Sequence, residues 1–258
     1  MKKNKKRKLQ KKTNTDTELP SILFFSFIND TSEQSKTIAV NHFDKVVVSP
    51  HIQAVFKQGD QESITIEELT ISSEKMNVEV SDNVLKVFLH KAEAEVNMDD
   101  DQSVNWEDNS VYDGTIAKIV ITYKDLGKLA LVGEEKFTFL DKVQQKDIKL
   151  KLIGKTKIYI KEAEIENLDI TSFGKNYVDV SSGKIPYQNI TAFGEDELNL
   201  INVENEVTQI KSLGNGKMKL NVSKKLKVTS LGNAHIMYKG DAKVSKGLIL
   251  GNSTVEKL

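Results

Sequence analysis

In the stretch KLIGKTKIYIKEAEIENLDITSFGKNYVDVSSGKIPYQNITAFGEDELNL, residues 151–200, three of the four glycines, Gly154, Gly174 and Gly194, are each set in the same frame of alternating apolar residues. The beat extends in both directions, from Gly133 through Gly214 and Gly232 to Gly251, with intervals of 21, 20, 20, 20, 18 and 19 residues. Directly before each glycine stands an apolar residue: Val132, Ile153, Phe173, Phe193, Leu213, Leu231 and Leu250. Four residues before it stand Leu129, Leu150, Ile170, Ile190, Ile210 and Val228, a row broken at Gly247. Four and six residues after it come pairs such as Ile158 and Ile160, Val178 and Val180, and Leu198 and Leu200.

Even spacing places side chains on one face of an extended chain, so each unit reads as strand, glycine corner, strand and polar connection. About five apolar residues per unit are expected to point inward. A unit of this size cannot bury its apolar face alone, and self-similarity at this period signals a stacked array. The expected fold is all-β: a single-stranded parallel β-helix with coils of about 20 residues, right-handed by the crossover rule. A hexapeptide left-handed helix fits poorly, because it would place an apolar residue at every sixth position. An antiparallel meander is the competing reading, since Gly-Asn at Gly214, Gly232 and Gly251 also suits type II′ hairpin loops. Near-constant intervals favour the solenoid, whose coils must match in length.

Composition sets further bounds. The chain has 258 residues and three prolines, and it lacks cysteine, which excludes disulfides, thiolate metal sites and a cysteine nucleophile. Net charge is zero, but residues 1–12 hold eight Lys or Arg and no acid, so the remainder is acidic. Residues 1–36 are expected to be a solvated leader. Within it, SILFFSFI (residues 21–28) resembles a degenerate signal segment, too short to span a membrane and equally suited to a capping strand. Residues 37–258 are expected to form one domain, with a polar acidic loop at 91–113 and regular repeats at 127–258. Alternation at Val46, Val48, Ile52, Ala54 and Phe56 around a Ser49-Pro50-His51 turn reads as an aperiodic first coil. NVEVSDNVLKVFL reads as a strand pair turning at Asp82-Asn83.

Three segments carry a family resemblance: FDKVVVSPHIQAVFKQGD, YDGTIAKIVITYKDLGKLALVGEEKF, and the corners through GLILGNSTV. From Phe43 to Leu258 the chain resembles the putative autotransporter adhesin, head GIN domain family, a bacterial domain of unknown function common in Bacteroidetes. The resemblance implies a β-helix akin to pectate-lyase-type solenoids, export to the periplasm or cell surface, and a role in adhesion. It implies no catalytic residues and no cofactor. The leader departs from the clear signal peptide or lipoprotein signal usual in that family.

The residues themselves point away from catalysis. Polysaccharide cleavage on a β-helix needs carboxylates at matching offsets in adjacent coils, either to hold Ca²⁺ or to act as acid and base. Here the position after the corner glycine is mixed: Glu134, Lys155, Lys175, Glu195, Asn215, Asn233 and Asn252. Asn215, Asn233 and Asn252 suggest a ladder of stacked amides. The four histidines show no metal-ligand spacing, and the acidic loop lacks the glycine and terminal glutamate of an EF-hand, so no metal is expected. Trp106 and Tyr112 in that loop are a candidate contact for a sugar or a protein. Lys157, Tyr159, Tyr177, Asp179, Glu197, Asn199, Lys217, Lys219 and His235 face outward after the corners and form no basic stripe, so nucleic acid is not an expected partner. The sequence reading is a non-enzymatic surface protein, adhesin or scaffold, for a glycan or protein of a host or cell surface. A carbohydrate-binding or carbohydrate-cleaving β-helix is the alternative. The solenoid end, a bare β edge, is a further candidate for self-association.

Overall fold

The computed structural model describes residues 35–98 and 111–258. The basic leader up to residue 34, the segment 21–28 and Trp106 lie outside the described residues. Strand Lys36–Ala39 begins at the last residue assigned to the leader.

The repeats form a parallel β-solenoid. Val143–Gly154 pairs in parallel with Lys128–Gly133 on one side and Ala163–Gly174 on the other, with Gly154 beside Gly133 and Gly174. The same register continues through Gly194, Gly214, Gly232 and Gly251. Strands after the corner pair likewise, Lys157–Ile160 between Lys136–Phe139 and Tyr177–Val180. No repeat folds back on its neighbour, which settles the choice against an antiparallel meander. The short 18-residue interval is absorbed in the polar connection, where register shifts occur between Leu200 and Val207, while the corner stays aligned. There Asn205, buried, donates to the carbonyl oxygens of Ile185 and Pro186 at 2.8 and 3.0 Å, so the irregular backbone keeps hydrogen-bond partners.

Stacking order departs from chain order at the amino-terminal end. Lys45–Val48 lies between Val84–Leu89 and Lys128–Gly133. Ile52–Gln58 lies between Ala117–Tyr123 and Lys136–Phe139. The coil expected to open the stack is therefore its second level, and the strands Val84–Leu89 and Ala117–Tyr123, later in the chain, lie beneath it. Alternation marks which residues face inward but does not say which neighbour a coil sits on, so this order was not legible from pattern. The lower end is closed by antiparallel strands. Met76–Ser81 pairs with Val84–Leu89 through a turn in which Asp82 and Asn83 have φ of 51° and 59°, as two-residue hairpins favour. Ser63–Leu69 pairs with Ala117–Tyr123 and then with Lys36–Ala39. These strands cover an edge that a parallel stack would otherwise leave open.

One apolar row of the repeat faces outward rather than into the core. Leu129, Leu150, Ile170, Ile190, Ile210 and Val228 line the core together with the pairs after the corner. The residue before each glycine points out: Leu213, Leu231 and Leu250 are 40%, 38% and 55% exposed. Val132 and Ile153 form a separate cluster with Ala94 on the exterior. The reason lies in the spacing itself. Positions one and four before the glycine are three apart, and an odd separation in a strand means opposite faces.

Candidate interaction surface

The corners organise the surface. Each corner glycine, Gly133, Gly154, Gly174, Gly194, Gly214, Gly232 and Gly251, has positive φ, between 92° and 134°. The next residue's N–H donates to the glycine carbonyl one level below, as from Lys155 to Gly133, Lys175 to Gly154 and Glu195 to Gly174, each at 2.8 Å. Side chains on the outer edge then pair between levels. Lys155 meets Glu134 at 2.6 Å, Lys175 meets Glu195 at 3.5 Å, and the Asn233 amide donates to Asn215 at 2.9 Å. Asn252 stands exposed beyond Gly251. Exposed pairs of this kind contribute about 0–1 kcal/mol each, so this edge is a modest lateral tie between coils.

Two residues past each of the first four corner glycines, Gly133 to Gly194, the chain turns inward and builds a buried polar column that the sequence reading missed. Thr156 donates to the Asn176 amide oxygen at 2.8 Å through its hydroxyl and at 2.9 Å through its N–H. Asn176 N–H and the Ser172 hydroxyl donate to the Asp196 carboxylate at 3.0 and 2.6 Å. Burial raises the Asp196 pKa, opposed by those bonds, and its second oxygen has no partner among the described residues. Glu135 occupies the same place in the Gly133 corner, where burial likewise raises its pKa and the Glu134 N–H donates to it at 2.9 Å. The signal was a row of polar residues, Glu135, Thr156, Asn176 and Asp196, at one repeat offset. All are enclosed by the stack, so their role is to satisfy corner backbone rather than to meet a ligand.

After the corners, short strands present an outer face in strict register. One column runs Lys136, Lys157, Tyr177, Glu197, Lys217, His235; its neighbour runs Thr138, Tyr159, Asp179, Asn199, Lys219, Met237. Tyr159 and Tyr177 sit with ring centroids 5.6 Å apart, and the Lys136 ammonium lies 5.1 Å from the Tyr159 ring centroid. Asn199 donates to Asp179 at 2.6 Å. Burial, then the nearby Asp179 charge, raises the Tyr177 pKa, which keeps its phenol a neutral donor. Two cavities among the described residues have volumes of about 10 Å³, one lined by core residues such as Leu150 and Ile170 and one by Lys128, Lys149 and Lys151 on the strand face before the corner.

Tyr112 is half-buried. Its hydroxyl donates to the His90 carbonyl at 3.1 Å, and its ring meets His51 edge-on at 5.8 Å. His51, at φ 68° in the Ser-Pro-His turn, bonds through Nδ1 to the Gly114 carbonyl at 2.7 Å. Most of the acidic loop, residues 99–110, lies outside the described residues. Among the described residues no cluster of His, Asp and Glu is gathered that could hold a metal ion, and no helix is long and apolar enough to cross a membrane.

Comparison with known proteins adds the following. The family model described as putative auto-transporter adhesin, head GIN domain, matches residues 42–242. A solved structure of a putative adhesin from Bacteroides fragilis superposes with a TM-score of 0.72 at 17% identity, covering 89% of this chain and 98% of that one. A putative lipid binding protein from Parabacteroides distasonis gives 0.61 at 19% identity, covering 87% and 96%. A putative adhesin from Parabacteroides merdae gives 0.55 at 18%, covering 87% and 95%. At such identities the likeness is one of fold. No protein of curated function matches the sequence.

Proposed function

This chain belongs to the putative auto-transporter adhesin, head GIN domain family, and from that premise we propose that it is a non-catalytic adhesin or interaction scaffold of the cell envelope or surface. It engages a glycan or protein of another surface through the registered outer face around Tyr159 and Tyr177. The observation that carries this reading is the strict register and repetition of that face. Parallel strands stacked about 4.8 Å apart offer the same kinds of donor, acceptor and ring at every level. Many weak contacts on one rigid body add through effective concentration rather than through a deep pocket. Aromatic rings stack on the apolar faces of sugars and anchor protein contacts, and a neutral phenol beside Asp179 and Asn199 supplies directional hydrogen bonds.

The test is retention of the purified chain on immobilised glycans and matrix proteins, with release of reducing or unsaturated sugar scored in the same wells. Retention without release, weakened in Tyr159→Ala and Tyr177→Ala, supports adhesion through this face. Sugar release abolished by replacing a carboxylate would refute the non-catalytic reading.

A further inference from the structure

The outward apolar row before the corner glycines is a ladder, and part of it is already occupied. Residues 92–98, AEAEVNM, alternate in burial, with Ala92 and Ala94 buried and Val96 and Met98 half-buried. Ala94 packs on Val132 and Ile153, and Val96 and Phe173 lie against the same cluster. Polar contacts pin the segment: the Ala94 N–H donates to the Ser49 hydroxyl at 3.0 Å, and the Lys151 ammonium donates to the Asn97 carbonyl at 3.1 Å. Glu93, on its outer side, pairs with Lys86 at 3.7 Å. The molecule thus seats an extended segment of alternating apolar and acidic residues across three successive rungs.

Beyond Phe173 the ladder continues with the same chemistry. Phe193 stacks on Phe173 with centroids 4.8 Å apart and planes at 3°, followed by Leu213, Leu231 and Leu250 in register. The last three are the exposed large apolar residues noted above. Lysines flank this stretch on the same strands: Lys211, Lys225, Lys227 and Lys243, with Lys225 beside Lys243. The side chains from Phe193 to Leu250 expose on the order of 300 Å², well below the roughly 800 Å² per partner of a stable dimer. Their length, three rung spacings or about 14 Å, matches about five residues of extended chain.

We propose that the ladder from Phe193 to Leu250 is a docking stripe for an extended segment of a partner protein, one with apolar side chains at alternate positions and acidic residues between them. The bound segment lies along the solenoid axis as a continuation of residues 92–98. Its apolar side chains fill the steps between Phe193, Leu213 and Leu231, and its carboxylates meet Lys211 and Lys227. This surface is separate from the tyrosine face, and its test stands apart from the adhesion test.

The probe is a fluorescein-labelled peptide copying residues 91–98 with Ala92→Leu and Ala94→Leu, titrated with the full chain by anisotropy. A scrambled peptide of equal composition, without alternation, is the control. Expected are binding of the alternating peptide alone, weakening as salt rises, and at least about tenfold loss in Leu231→Lys and separately in Leu213→Lys. Both variants keep the wild-type melting profile, because the lysine stem lies along an outward face. No binding at millimolar peptide, equal binding of the scrambled control, or unchanged affinity in two folded variants overturns the proposal. Flotation with phosphatidylglycerol vesicles lost in the same variants, without peptide binding, would assign the stripe to lipid. A concentration-dependent dimer abolished by Leu231→Lys would assign it to a second copy. Either result also overturns the proposal.

Discussion

Replacing Gly194 by alanine probes the corner that every coil shares. A Cβ there would lie 2.0 Å from the Gly174 carbonyl oxygen and 2.9 Å from its carbon, at a φ of 134° that L side chains rarely adopt. The neighbour is backbone held in the stack by the Glu195 N–H to Gly174 bond at 2.8 Å, so it cannot swing aside as a side chain would. Adopting such a φ costs about 1–2 kcal/mol. Parting the levels far enough to clear the contact sacrifices a coil-to-coil hydrogen bond, about 1 kcal/mol, plus local packing. Reduced freedom of the unfolded chain returns about 0.4–1 kcal/mol. The net expectation is a loss of about 1–3 kcal/mol, read as a lower urea midpoint. Two controls calibrate it. Gly114 has φ of 62° with nothing near its Cβ, so Gly114→Ala should cost only about 1 kcal/mol. Gly127, without positive φ and with its nearest neighbour at 3.6 Å, should tolerate alanine at no cost. Gly194→Ala no more damaging than Gly114→Ala would refute the argument that backbone contact between levels requires glycine.

Further outcomes follow from burial and charge. Ile210→Ala, in the core, should cost about 2–5 kcal/mol, whereas Leu213→Ala three residues on, pointing outward, should cost under about 1 kcal/mol; equal losses by chemical denaturation would contradict the facing assigned to the two rows. Burial raises the folded-state pKa of Asp196 above its ordinary 3.8, so its favourable contribution is fully present below that value and is lost as pH rises through the raised one. Asp196→Asn should flatten melting temperature against pH across that window, and an unchanged slope would rule out Asp196 as its source. The Tyr123 phenol is pushed up to about 12 by burial and then by Asp141. Its contribution is intact below the ordinary 10.0 and declines as pH climbs toward 12. Tyr123→Phe should therefore soften the alkaline limb of the stability profile, and an identical limb in both proteins would count against that assignment.

Much of the fold was legible because a solenoid writes its geometry into the chain. Glycines at near-equal intervals, with Ile158 and Ile160 or Val178 and Val180 at fixed offsets, could satisfy period-two burial only by stacking. The polar face around Tyr159 and Tyr177 was legible for the same reason, since outward positions alternate with inward ones. The buried column of Thr156, Asn176 and Asp196 was present as a row but was passed over, because polar residues beside a turn normally face solvent. Its burial depends on neighbouring corners closing over it.

The repeat, the corners and the strand faces can be read from the residues, because all of them arise from local backbone geometry and side-chain alternation. That Lys45–Val48 enters the stack as its second level, and that Ala94 and Val96 climb the outer ladder, emerges only in the folded arrangement. Both depend on contacts between segments distant along the chain. Parallel edges are alike in their hydrogen-bonding groups, and an exterior apolar row accepts any extended segment of suitable alternation, so neither choice could be read from residues near the contact.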